Sequence, residues 1–89
     1  MFYTYILYSV SIDKYYKGHT YNIEARLEKH NRGEVKSTST GIPWKLILFI
    51  RKGTRSDAMK LERKLKNLNR ARLEAFIIKY GDRNKLNQF

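Results

Sequence analysis

Along residues 2–10, aromatic and β-branched side chains alternate. Tyr3, Tyr5, Leu7 and Ser9 fall on one face and Thr4, Ile6 and Tyr8 on the other, the two-residue period of a strand. A short polar connection, Ser11-Ile12-Asp13, leads into residues 14–19, where Tyr16 and Gly18 share a face opposite Tyr15, Lys17 and His19. Two strands so joined predict a hairpin. From Ile23 the period lengthens. Ile23 and Leu27 mark the buried stripe of a helix that Thr20 or Asn22 can cap, running to about Asn31 and stopped by Gly33. Residues 32–43 carry Gly33, Lys36, a Ser/Thr run, Gly41 and Pro43, which is loop chemistry. The apolar run at 44–50, broken only by Lys45, predicts a buried strand. Thr54 with Asp57 resembles a capping box and opens a helix over about residues 56–68. A third helix over 70–80 has Leu73, Ile77 and Tyr80 on one stripe and Gly81 as its stop.

The order is ββαβαα. The expected fold is α/β in the α+β sense, a small three-stranded antiparallel sheet flanked by helices, because three short strands bury too little without helical cover. Residues 1–81 form the expected domain and 82–89 a polar C-terminal tail.

The stripes contain polar side chains. On the first helix Arg26 and His30 lie within about 60° of Ile23, on the side that should face inward, and as an i,i+4 pair they are neighbours. On the next helix Ala58, Leu61, Leu65 and Leu68 define the buried side, and Glu62 lies about 40° from Ala58. A carboxylate at the edge of a core needs a partner. Two explanations stand side by side: an internal Glu62–Arg26 salt bridge, or a cleft in which Glu62 binds a metal and Arg26 a phosphate.

Charge alters the picture further. Nineteen Lys and Arg against eight Asp and Glu give a net charge of +11, a field that draws polyanions. Nucleic acid is the first candidate and an anionic membrane surface the second. Lys17, Lys36, Ser37 and Thr38 are candidate phosphate contacts, whereas Lys60, Arg63, Lys64 and Lys66 are equally well a solvated helix face. The absence of cysteine excludes a disulfide framework and a zinc-thiolate site. No apolar run reaches the roughly 18 residues of a membrane span, and the N-terminus has no signal-peptide pattern. A soluble, cytoplasmic protein is expected.

The tripeptides Tyr3-Thr4-Tyr5 and Tyr16-Lys17-Gly18, the Arg26/His30 pair and Glu62 together resemble the GIY-YIG nuclease superfamily, in particular its small stand-alone members, over roughly residues 2–80. Tyr3, Thr4 and Lys17 depart from the name-giving residues, but Tyr5 and Tyr16 keep both hydroxyls. The resemblance implies a metal-dependent endonuclease that hydrolyses phosphodiester bonds, structure- rather than sequence-selective, on DNA more than RNA and in the setting of DNA repair. It implies Tyr5, Tyr16, Arg26, His30 and Glu62 as catalytic residues, Glu62 as the ligand of Mg²⁺ (or Mn²⁺), and a protein partner or homodimer for targeting. Tyr5 would be the general base or would position water, with Arg26, a metal and local Lys residues such as Lys17 lowering its pKa, and His30 would accept or relay the proton. His19, beside Gly18, is an alternative polar site residue. The family's C-terminal asparagine has three candidates, Asn67, Asn69 and Asn84. The competing readings are a catalytically inactive nucleic-acid-binding module and a protein-interaction domain.

Overall fold

The computed structural model describes residues 1–88, with side chains through residue 81. Its elements are β1 (Phe2–Ser9), β2 (Lys14–Thr20), α1 (Ile23–Asn31), a single 3-10 turn (Lys36–Thr38), β3 (Trp44–Lys52), α2 (Arg55–Lys66) and α3 (Arg70–Gln88). The three strands form one antiparallel sheet in the order β2-β1-β3. The expected ββαβαα order and α+β class are therefore the observed ones.

The alternation read along β1 sorts its side chains onto two cores. Tyr5 and Leu7 pack with Trp44 under α1, joined by Tyr16, Leu27, Leu46 and Phe49. Ile6, on the opposite face, packs with Leu48, Leu65 and Leu73 under α2 and α3, where Leu61, Leu68, Phe76, Ile77 and Tyr80 complete the layer. Thr4 on this second face donates its hydroxyl hydrogen bond to the Ala58 carbonyl at 2.8 Å, which pins β1 to α2.

Local chemistry fixes the element ends. Of the two residues proposed to cap α1, Asn22 does so, its side-chain oxygen accepting from the Ala25 amide. Gly33, just past the helix, has φ of 77°, a left-handed conformation that glycine adopts without penalty. Thr54 caps α2 by accepting from the Asp57 amide. The hairpin closes with Asp13 at φ 52°, a position short polar side chains tolerate. Its carboxylate accepts from Tyr8 and from Arg70, and Arg70 also reaches Glu74 and lies over the Tyr15 ring, so the hairpin tip is tied to α3.

Two expectations are corrected. The run at 44–50 forms an edge strand rather than a fully buried one. Leu48 is buried, but Lys45 and Ile47 are exposed, because only β1 flanks β3. The third helix does not stop at Gly81 but continues to Gln88. A glycine weakens a helix by only about 1 kcal/mol and does not by itself end it. Residue 89 and the side chains of 82–88, that of Asn84 among them, lie outside the described residues.

Candidate active site at the edge of strand β2

The site is built around Tyr5. Its partner across the hairpin is Gly18, and its ring lies where a side chain on Gly18 would stand. A β-carbon there would come within 2.6 Å of the Tyr5 hydroxyl and 3.1 Å of the Tyr16 ring. The missing methyl lets a residue of the central strand carry its hydroxyl out over the edge strand. Tyr16 stands beside it, with ring centroids 6.3 Å apart, and packs edge-on against His30 at 4.9 Å.

His30 is wholly buried, delivered by the last turn of α1. Its Nε2 lies 2.9 Å from the Tyr5 hydroxyl and its Nδ1 lies 2.7 Å from the Thr38 hydroxyl. Burial, followed by the charge of Arg26, lowers its pKa from 6.5 to about 4, so the ring is neutral near pH 7. Arg26, one turn earlier on α1, is half-buried and acts on both Tyr5 and His30. Among the described residues no carboxylate forms an ion pair with it.

Glu62 approaches from α2, on the other side of the sheet. Its Oε1 is 2.6 Å from His19 Nδ1 and its Oε2 is 2.7 Å from Lys66 Nζ. Burial raises its pKa, but hydrogen bonds from Lys66 and His19 and their charges outweigh that, and the carboxylate stays ionised below its usual range. The Glu62–Arg26 salt bridge allowed by the sequence is thus replaced by a His19–Glu62–Lys66 cluster. Glu62 still acts electrostatically on Tyr5, and Lys66 has Tyr16 within the range of its charge, so the two halves of the site meet across the β2 edge. Lys17 lies half-buried on the same strand, its pKa lowered by burial and by Lys66.

A family model described as the GIY-YIG catalytic domain matches residues 1–87. The chain belongs to the GIY-YIG family. Its GIY-YIG domain is similar to a UPF0213 protein of Listeria monocytogenes serotype 4b, 39% identical over 69 residues, which cover 76% of this chain and 78% of that one. A UPF0213 protein of Natronomonas pharaonis is 36% identical over 76 residues, 84% and 88% of the two chains. Among solved structures, the solution NMR structure of a UPF0213 protein from Bacillus halodurans matches with a TM-score of 0.60 and 29% identity, covering 91% of this chain and 87% of that one.

Within this GIY-YIG domain the structure brings Tyr5, Tyr16, Arg26 and His30 together and sets Glu62 opposite them. Two expectations change. The chain's own cations do not make Tyr5 acidic: burial, then Tyr16 and Glu62, push its pKa well above the ordinary value, and Arg26 only partly offsets them. Thr38 is not a phosphate contact, because it is fully buried and its hydroxyl is committed to His30 and Val35. Lys36 and Ser37 are exposed on the same 3-10 turn. Of the asparagines, Asn69 accepts from the Arg72 amide at the start of α3, and Asn67 ends α2.

The sequence under-ranked His19 and Lys66. Lys66 lies one helical turn beyond Glu62, a spacing that could have flagged it. His19 faces α2 by the strand alternation already noted, but its pairing with a residue 43 positions away is set by packing.

Among the described residues no three His, Cys, Asp or Glu side chains cluster around a point. An all-protein metal cage is therefore not present in the described part. A single ionised carboxylate does suit a Mg²⁺ ion whose other ligands are water and phosphate oxygens. Glu62 fits that description, with the exposed Lys66 able to swing aside.

Proposed function

We propose that the protein is a metal-dependent endonuclease, selective for nucleic-acid structure rather than sequence and acting on DNA in preference to RNA. The observation that carries this reading is the Tyr5 hydroxyl, held at the β2 edge by the gap over Gly18 and hydrogen-bonded to a buried, neutral histidine. A merely structural tyrosine has no need of either.

Tyr5 works without a lowered pKa if its proton leaves as another arrives. Water gives a proton to the Tyr5 oxygen while Tyr5 gives its own to His30 Nε2. The resulting hydroxide bonds to phosphorus, the bond to the leaving oxygen breaks with its electron pair, that oxygen takes a proton from bulk water, and the buried His30 returns the net proton outward through Tyr5. Arg26, which has no carboxylate partner among the described residues, offers its planar fork to the non-bridging oxygens, where a preorganised donor stabilises developing charge. Tyr16 holds the two rings in place, by a tilted contact with Tyr5 and an edge contact with His30. A divalent ion on Glu62 would stabilise charge on the phosphate and on the leaving oxygen. Lys17, Lys36 and Ser37 are assigned to backbone phosphates.

One observation favours an inactive nucleic-acid-binding module: both oxygens of Glu62 already have cationic or histidine partners. A nicking assay on duplex, flapped and branched DNA, with Mg²⁺, Mn²⁺ or chelator, separates the two. The nuclease reading expects metal-dependent nicking that Tyr5→Phe reduces about 10²–10⁴-fold at nearly constant KM and that Glu62→Ala abolishes while binding persists. Salt-dependent binding with no cleavage of any substrate would leave only the binding module.

A further inference from the structure

Thr38 is fully buried, and its surroundings leave it little freedom. Its carbonyl accepts from the Trp44 indole at 2.7 Å and from the Gly41 amide at 3.2 Å. Its hydroxyl donates to the Val35 carbonyl at 3.3 Å. A hydroxyl has one proton, so while that proton is given to Val35 the same oxygen accepts toward His30 Nδ1, 2.7 Å away. In that arrangement Nδ1 carries the imidazole proton. A neutral ring has no second one, so Nε2 presents a bare lone pair to the Tyr5 hydroxyl.

We infer that Thr38 is a positioning residue of the hydrolytic site, fixing His30 as the Nδ1–H tautomer so that the Tyr5 proton points inward and the outer lone pairs of Tyr5 face the water to be activated. This rests on the nuclease reading above. In the other tautomer Nε2–H would donate to Tyr5. The Tyr5 proton would then turn outward and the phenol would meet water as a donor, unable to take its proton. The chain Val35–Thr38–His30–Tyr5 thus has one sense only, and the loop after α1 sets it.

Nitrogen-15 NMR of the folded protein tests the tautomer directly. The chain has two histidines, and His30→Gln identifies the relevant pair of ring nitrogens. The wild type should show Nδ1 protonated and Nε2 unprotonated near neutral pH. Thr38→Val, close in shape but without the hydroxyl, should shift the ring toward Nε2–H and lower kcat about 10²-fold or more with KM nearly unchanged. Thr38→Ser should restore both signatures. A wild-type ring protonated at Nε2 overturns the inference and needs no variant to fold. A Thr38→Val protein with unchanged tautomer overturns it too, whether kcat is retained or falls only with the folded fraction. Absence of Glu62-dependent nicking in the wild type instead overturns the nuclease reading, and with it the catalytic consequence given to Thr38.

Discussion

A single methyl group at position 18 would occupy the place now taken by the Tyr5 hydroxyl. The ring of Tyr5 is packed in the core under α1, so the clash cannot be relieved by a swing into solvent. Gly18→Ala should therefore displace the hydroxyl from His30. Displacements on the order of 1 Å cost about 10² in rate, so turnover should fall by about that factor. Overpacking of this kind costs about 1–3 kcal/mol of stability, partly offset because alanine is less flexible than glycine in the unfolded chain. Nicking kinetics beside a thermal melt check it, and full turnover in a folded Gly18→Ala protein would sink the role given to the close approach. At this scale the sequence displayed much of the site. Strand alternation put Tyr16 and Gly18 on one face, the resemblance joined Tyr5 to them, and helical period turned Arg26 and His30 inward. Thr38 was illegible because a Ser/Thr run in a loop carries no periodicity. Only the fold shows that one hydroxyl of that run is buried against His30 while Ser37 and Ser39 face outward.

Among the elements, α2 has the most to position. Its Ala58 and Leu65 are buried against the sheet, and Glu62, between them on the helix, reaches back to His19 of β2. The Thr54 cap fixes where the helix begins. Thr54→Ala should cost about 1 kcal/mol, a fall in melting temperature of roughly 4–8 °C for a domain of this size. The rate per folded molecule should hold. An unchanged melting curve would show that the cap contributes nothing, and a lost rate without lost stability would show that it aligns the site. Element types and order were readable because each amphipathic stripe meets a matching core. Ends and edges were less so. The apolar run of β3 does not state how many neighbours a strand has, and Gly81 gave a stop signal that the helix passes through.

The whole molecule is nearly isometric, 29 × 28 × 28 Å, and its formal charge is +11. Its width matches about eight base pairs of duplex at 3.4 Å each. Among the described residues no helix is long and apolar enough to cross a membrane. Affinity for DNA should therefore fall linearly on a log–log plot against salt, as counterions released by phosphate contacts are returned. Titrations at several salt concentrations give the slope, and a flat line would remove the charge from the account of binding. The position of Tyr5 on β1 has a different kind of consequence. β1 is the middle strand, hydrogen-bonded on both sides and packed on both faces. The backbone that carries the reacting hydroxyl consequently belongs to the part of the molecule that opens last. Amide hydrogens of such a strand exchange with solvent only when the entire domain unfolds. The strand that carries the reacting hydroxyl is thus no separate, softer unit of stability that could fray: its lifetime is the lifetime of the fold.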